Sequence, residues 1–213
     1  MRQADAATLI RTFMVFAIVY MIFVKFNAIV TIILIAVMYA LDGFDGYLAV
    51  HEVSGGEVGF IDYVRAALGN KKVMERVREL KHRISASNAY GARLDVAGDR
   101  VIEYTFWIFF TYLSIIPLWA LLLVVLRHSF ADAFMAARGT SSKMKSRFAI
   151  AVYSSNVSRA LVNILKFLAF AYLVLVYVSS YPILPGYVLV GALFAMVMLR
   201  GAAEIYEGAI AQH

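Results

Sequence analysis

Six apolar stretches, each near the roughly 20 residues that cross a bilayer as a helix, leave this chain few folds to adopt. They run from Thr8 to Val24, from Ala28 to Val50, from Asp95 to Ile116, from Pro117 to Leu126 and on toward Phe134, from Ala149 to Val178, and from Ile183 to Ala203. Backbone groups in lipid have no water to bond, and a helix satisfies them within the segment itself. Hydrophobic residues make up 62% of the 213, charged residues only 16%, and the mean hydropathy of +0.77 is far from that of a soluble domain. The expected fold is all-α: one polytopic membrane domain over residues 1–213, with six transmembrane helices and a polar cavity facing the cytoplasm. The first apolar run has no short apolar core ending in a small-residue cleavage site, so a retained helix is expected there. The absence of cysteine excludes disulfides, thiolate metal sites and cysteine nucleophiles.

Turn residues and charge set the topology. Lys25 with Asn27, Pro117, and Ser179-Ser180-Tyr181-Pro182 with Pro185-Gly186 mark three turns on one side of the membrane. Of these only the first carries a basic residue, Lys25. The other side holds Arg2, Arg11, a basic stretch from Arg65 to Arg100, and Arg127 through Arg147. The positive-inside rule therefore places both termini in the cytoplasm. The formal charge of +6 is mainly this topology signal, with attraction to anionic headgroups secondary and no nucleic-acid partner implied.

Between Val50 and Tyr90 the chain becomes polar, and residues 51–90 read as a cytoplasmic helical insert. After Ser54-Gly55-Gly56, the residues Phe60, Ile61, Val64, Ala67 and Leu68 share one helical face; after Gly69-Asn70, so do Val73, Val77, Leu80 and Ile84. Two short amphipathic helices are expected, resting on the membrane surface or on the protein itself, or serving as a lid or partner-docking element.

Four aspartates stand at the cytoplasmic edge of this scaffold. Asp42 and Asp45 are three residues apart near the end of the second span; Asp95 and Asp99 are four apart at the start of the third. Each pair thus shares a helix face. Carboxylates at a bilayer edge are costly unless paired, hydrated or bound to a cation. Two facing pairs form a nest of hard oxygen ligands that suits Mg²⁺, Mn²⁺ or Ca²⁺ rather than zinc, and Mg²⁺ commonly shares its sphere with phosphate. Gly43, Gly46, Gly91 and Gly98 lie on the same turns, where the missing side chain admits a large ligand or another helix.

The ordered pattern D-x2-D-G-x2-A, then G-x3-D-x3-D, carried by Asp42, Asp45, Gly46, Ala49, Gly91, Asp95 and Asp99, resembles the motif of the CDP-alcohol phosphotransferases. These are integral membrane enzymes that join a polar alcohol to a CDP-linked lipid. Thr8-Leu9-Ile10-Arg11 is similar to the family's usual start. The resemblance implies metal-dependent transfer of a phosphatidyl-type group from CDP-diacylglycerol or a related CDP-lipid to a small polar alcohol, releasing CMP in phospholipid biosynthesis. It also implies a homodimer. Asp42, Asp45, Asp95 and Asp99 would hold one or two Mg²⁺ ions, Mn²⁺ being possible, and Asp99 would act as general base. Gly46, Ala49 and Gly91 would line the CDP-lipid. Two departures stand out: Val50 takes the place of the family's arginine, and the gap to Gly91 is far longer. Arg83, with Lys81 and His82 as alternatives, would then return a cation to the phosphates. Position 98 is Gly where related sequences often carry Ala, and the resemblance implies that either is tolerated.

Ser155, Arg159, Asn163 and Lys166 recur at helical spacing in the fifth span, and an intramembrane polar stripe ordinarily faces a cavity. With Arg127, Lys143, Lys145 and Arg147 they favour an acceptor that already carries phosphate, such as inositol phosphate or glycerol 3-phosphate, over serine, choline or ethanolamine. The bland alternatives are a positive-inside loop for Lys143, Lys145 and Arg147, an ion pair of Arg159 with Glu103 or Glu204, and snorkelling of Lys166. His51, His82, His128 and His213 lack metal-ligand spacing and are expected at the surface. Tyr20, Trp107, Tyr112, Trp119 and Tyr181 are expected to anchor at the membrane interfaces. A cation transporter and a CDP-lipid-binding scaffold are the competing function classes.

Overall fold

The computed structural model of the protein describes residues 3–67, 70, 73–77, 79–80, 89–136, 146–154 and 156–210, which are helical apart from turns and contain no strand. Seven helices carry labels here: α1 Gln3–Phe23, α2 Ala28–Val53, α3 Phe60–Ala67, α4 Ala89–Tyr112, α5 Leu118–Ala136, α6 Asn156–Ser179 and α7 Ile183–Ile210. Four of them contain segments long and apolar enough to cross a membrane: Asp5–Phe23, Ala28–Val53, Ser158–Ser179 and Ile183–Ala209. The third and fourth apolar stretches of the sequence fall in α4 and α5.

Large apolar side chains crowd the outside of the helices as well as the core. In α1, Phe13, Phe16, Tyr20 and Phe23 point outward, while Thr8 and Arg11 are buried beside Val15, Ile18 and Ile22. Elsewhere Thr31, Glu103, Arg127, His128, Ser158, Glu204 and Glu207 are buried while large apolar side chains line the outside. A helix that is apolar all round has its outer face in lipid. The chain is that of a helical membrane protein.

The three turns read from the sequence are where the helices reverse. Lys25, Ser114 and Ser180 adopt left-handed backbone, with φ of 52°, 59° and 54°, just beyond the ends of α1, α4 and α6. Such a residue lets amides past the helix end reach back to the last carbonyls, as Lys25 N does to Ile22 O at 2.9 Å. Asn27 then caps α2, its Oδ1 accepting from the amides of Ile29 and Val30 at 3.0 and 3.2 Å. Pro117 stands immediately before α5, and Pro182 before α7.

The fifth apolar stretch differs from its expected course. Rather than one helix from Ala149, a single turn at Arg147–Ala149 leads into a π-helical segment, Ile150–Ser154, and the long helix starts at Asn156. The Ser158 hydroxyl donates to the carbonyl of Val152, tying the new helix to the widened turn. π-Helical turns of this kind concentrate at functional sites.

Two compact units divide the chain, Met1–Met21 with Ile33–Thr105, and Ile22–Ile32 with Phe106–His213. In the second, α7 packs along both α5 and α6. Its centre is aromatic: Phe106, Phe110 and Phe170 stack, with Phe106 and Phe170 centroids 4.7 Å apart, and Trp107 meets Phe170 and Phe194 edge-on at 6.3 Å. Trp107 is 0% exposed, so it is a core residue and not the interfacial anchor its type suggested; Tyr20, Tyr112, Trp119 and Tyr181 are exposed as expected. Gly201 lets α7 pass close to α5, because a Cβ there would lie 2.3 Å from the Arg127 side chain.

In the first unit the insert has its own small core, where Val50, Val58, Ala66, Val77 and Leu80 are buried with Val53, Tyr63 and Val73 against them. The second predicted stripe therefore faces inward, through Val73, Val77 and Leu80. The first divides: Phe60, Ile61 and Val64 remain exposed, and the inward positions of α3 are Tyr63 and Ala66. Leu68 and Ile84 lie outside the described residues, and so does the side chain of Ala67. His51 is half-buried rather than at the surface, its Nδ1 bonded to the Val58 carbonyl at 2.9 Å, and Arg76 pairs with Glu57.

Because Trp107 fills the aromatic centre, Trp107→Ala is expected to lower stability by on the order of 3 kcal/mol. Trp119→Ala, on a residue 59% exposed, is expected to change it little. Thermal unfolding of both variants in one detergent checks the contrast.

Candidate metal centre

Three helices of the first unit bring four charges together. Arg11 reaches from α1 into the pair of aspartate-bearing helices: its Nη1 lies 2.8 Å from Asp42 Oδ1 and 2.6 Å from Asp99 Oδ1, and its Nη2 lies 2.5 Å from Asp95 Oδ1. Asp42 comes from α2; Asp95 and Asp99 are one turn apart on α4, so both present to the same guanidinium. One carboxylate oxygen from each aspartate lies within 4.8 Å of the others.

The cluster is layered by burial. The Arg11 side chain is 3% exposed, whereas those of Asp42, Asp95 and Asp99 are 25%, 48% and 44% exposed. The cation backs the carboxylates from the protein interior, and the carboxylates open outward. Three hard oxygen donors on two rigid helices, clustered and open on one side, fit an oxygen-ligated dication that completes its sphere with water or phosphate. Arg11 engages one oxygen of each aspartate from the inner side and so sets their direction.

Close backbone approach makes this geometry possible. At Gly98, between Asp95 and Asp99 on the sequence of α4, an added Cβ would lie 2.7 Å from Thr12 Oγ1 and 3.1 Å from Thr8 Cγ2. Alanine at this position, tolerable by family resemblance, would here require Thr12 or Thr8 to shift. Thr12 donates its hydroxyl to Thr8 O at 2.7 Å, so its oxygen is held against the helix and does not swing aside freely.

Further polar groups follow the same helices inward. Glu103, one turn beyond Asp99, is buried with Arg100 at 4.0 Å. The Tyr39 hydroxyl on α2 is buried without a hydrogen-bond partner, within electrostatic reach of Glu103, Asp99, Asp42 and Arg11.

The remaining expected site residues divide by position. Asp45 lies on α2, its side chain outside the described part of the structure. Gly46 and Ala49 follow on the same helix, and Gly46 is covered: an added Cβ would lie 2.7 Å from the hydroxyl of Tyr63 on α3. Gly91 falls in the first turns of α4. Arg83, Lys81, His82, Lys143, Lys145 and His213 lie outside the described residues, as does Ser155. Val50, where the resemblance expects an arginine, is 0% exposed and belongs to the insert's core.

In the second unit Arg127 is buried on α5, paired with Glu204 of α7 and donating from Nη1 to His128 Nδ1 at 2.5 Å. His128, expected at the surface, is 1% exposed. Glu204, one of the two partners expected for Arg159, is bound by Arg127. Arg159 and Asn163 are exposed on α6. The sequence reading passed over Arg200, whose Nη1 donates to Ser158 Oγ at 3.0 Å and whose guanidinium lies 4.6 Å above the Tyr153 ring. Arg127, Arg159 and Glu204 are all within its electrostatic reach. The available signal was a lone arginine in an apolar helix, followed at helical spacing by Glu204 and Glu207.

Comparison with family models, curated proteins and solved structures finds no match to the chain.

Removing the interior cation leaves Asp42, Asp95 and Asp99 facing one another. Arg11→Met is expected to cost about 2 kcal/mol, below the ~3–5 kcal/mol of a wholly buried pair because the carboxylates are partly hydrated. Adding Asp95→Asn to that variant is expected to recover part of the loss by removing like charge; thermal unfolding in chelator reads both.

Proposed function

We propose that this chain is a CDP-alcohol phosphotransferase, transferring a phosphatidyl-type group from a CDP-linked lipid to a polar alcohol and releasing CMP. The observation that carries the reading is the convergence of Asp42, Asp95 and Asp99 within 4.8 Å. Two motif halves more than forty residues apart in sequence, on α2 and α4, supply one set of oxygens. In this reading α4 and α5 complete six spans, the aspartates face the cytoplasm, and the protein works as a homodimer.

Asp42, Asp45, Asp95 and Asp99 would hold one or two Mg²⁺ or Mn²⁺ ions, which would supply positive charge to the donor diphosphate and to the departing CMP. Arg11 holds the aspartates in register from behind. Asp99 accepts the proton of the acceptor hydroxyl as its oxygen attacks the lipid-bearing phosphorus and the bond from that phosphorus to CMP breaks. No covalent enzyme intermediate is needed.

The acceptor is one that already carries phosphate, such as inositol phosphate or glycerol 3-phosphate, rather than serine: the sequence is rich in cations from Arg127 to Arg159 and again has one at Arg200, and guanidinium groups bind phosphate through paired N–H donors.

The test is CMP release from CDP-diacylglycerol by purified protein with Mg²⁺, across inositol phosphate, glycerol 3-phosphate, serine, inositol and choline. Release with one acceptor, abolished by chelator and lowered roughly 10²–10⁴-fold in Asp99→Asn, is the expected result. Metal-dependent binding of the CDP-lipid without release identifies a scaffold instead, and cation flux through liposomes a transporter. Arg200→Gln is expected to raise KM for a phosphorylated acceptor by roughly 10–100-fold, the loss of one charge-assisted hydrogen bond, with a far smaller effect on CDP-lipid binding.

A further inference from the structure

The exposed face of α3 is apolar, although its inward face is already occupied. Tyr63 and Ala66 face α2 and the rest of the insert, where they pack with Val50, Val58, Val77 and Leu80. Phe60, Ile61 and Val64, 51%, 66% and 37% exposed, contribute nothing to that core. At 100° per residue these three lie within an arc of roughly 100°, with Asp62 and Arg65 on the adjoining flank. The two charged residues pair with each other at 3.4 Å and are well exposed. The helix therefore has three sides: one against its own protein, one charged, and one apolar that meets the described residues through the Phe60 ring and leaves Ile61 and Val64 exposed.

The apolar side continues a surface that lies in lipid. Along α2, a membrane-crossing helix, Ile33, Val37, Ala40 and Phe44 form an exposed stripe at helical spacing. The Phe44 ring lies 6.3 Å from that of Phe60, and Tyr47 meets Phe60 edge-on at 5.3 Å. The lipid-facing stripe of α2 thus passes through Phe44 directly onto the outer face of α3. In water three adjacent large apolar side chains form a costly patch, whereas a short helix in the headgroup layer buries such a face and keeps its charged flank hydrated.

We infer that α3 is an interfacial helix, seated in the bilayer surface beside α2, with the headgroup and upper acyl region of the lipid as the partner of Phe60, Ile61 and Val64. Tyr63, on its inner side, covers Gly46, one turn from Asp42 on the aspartate-bearing helix. The bilayer surface thereby holds in place the element that roofs this stretch of α2. The inference requires α2 to cross a membrane and does not depend on any catalytic reading.

The cysteine-free chain allows a direct test. Single cysteines at Ile61, Val64, Arg65 and Val37 are spin-labelled in the full-length protein in phosphatidylcholine–phosphatidylglycerol bilayers, and collision with oxygen is compared with collision with a water-soluble nickel chelate. Labels at Ile61 and Val64 are expected to show an oxygen-to-nickel ratio several-fold above that at Arg65 and below that at Val37, at a depth of about 5–10 Å. Nickel access at both positions equal to that at Arg65 overturns the inference by placing the face in water. Protection from both reagents, with spin–spin broadening that disappears on dilution with unlabelled protein, overturns it in favour of a second copy. Protection from both without broadening overturns it in favour of burial within the protein.

Discussion

A guanidinium shared by three carboxylates holds the first unit together. Lipid tails are as apolar as leucine, so nothing like water's expulsion of hydrocarbon drives membrane helices against one another; close packing and polar contacts must do it. Arg11 supplies the polar part, tying α1 to Asp42 on α2 and to Asp95 and Asp99 on α4. Gly98 supplies the close packing, by admitting Thr8 and Thr12 of α1 to the surface of α4. Without the arginine the close approach brings three like charges together with no interior counter-charge.

The same constraint explains which parts of the structure could be read in the sequence. The aspartate pairs were legible because spacings of three and four fix a shared helix face locally, whatever the tertiary structure. The turns at Lys25, Pro117 and Ser180 were legible for a similar reason, since caps and prolines act on their own neighbours. Arg11 was seen as a cytoplasmic charge and as part of a family-like start, but its partners lie 84 and 88 residues away on α4, a distance no local pattern spans. Trp107 and His128 were misplaced by one habit: amphipathic and titratable side chains were assigned to interfaces and surfaces. Both residues are fully enclosed: Trp107 packs among Phe170 and Phe194, and His128 Nδ1 takes a hydrogen bond from Arg127.

The break in the fifth apolar stretch was hidden for another reason. Hydropathy averages over a window and does not register one extra residue per turn. The π-helical segment Ile150–Ser154 presents Tyr153 beneath Arg200 and aims the Val152 carbonyl at the Ser158 hydroxyl, which in turn accepts from Arg200. An isolated arginine in an apolar helix is thus stabilised by an aromatic face and a hydroxyl instead of by a carboxylate alone.

The insert shows how an added segment is accommodated without disturbing the four-charge cluster. Val50 ends a turn that began near Gly46, and in place of a cation it supplies a fully buried valine to the insert's core. From there the chain leaves α2, turns at Gly55 and Gly56 in left-handed backbone, and returns α3 to lie with Tyr63 over Gly46. Gly46 accepts the Tyr63 hydroxyl at this distance because it has no side chain; a Cβ would make the phenol shift. The glycine that the family resemblance assigns to ligand approach is, in this chain, also the seat of the insert, so any ligand reaching the backbone at Gly46 has to contend with Tyr63. Asp42, which supplies a carboxylate to the cluster, and Gly46, against which Tyr63 rests, are successive turns of one helix.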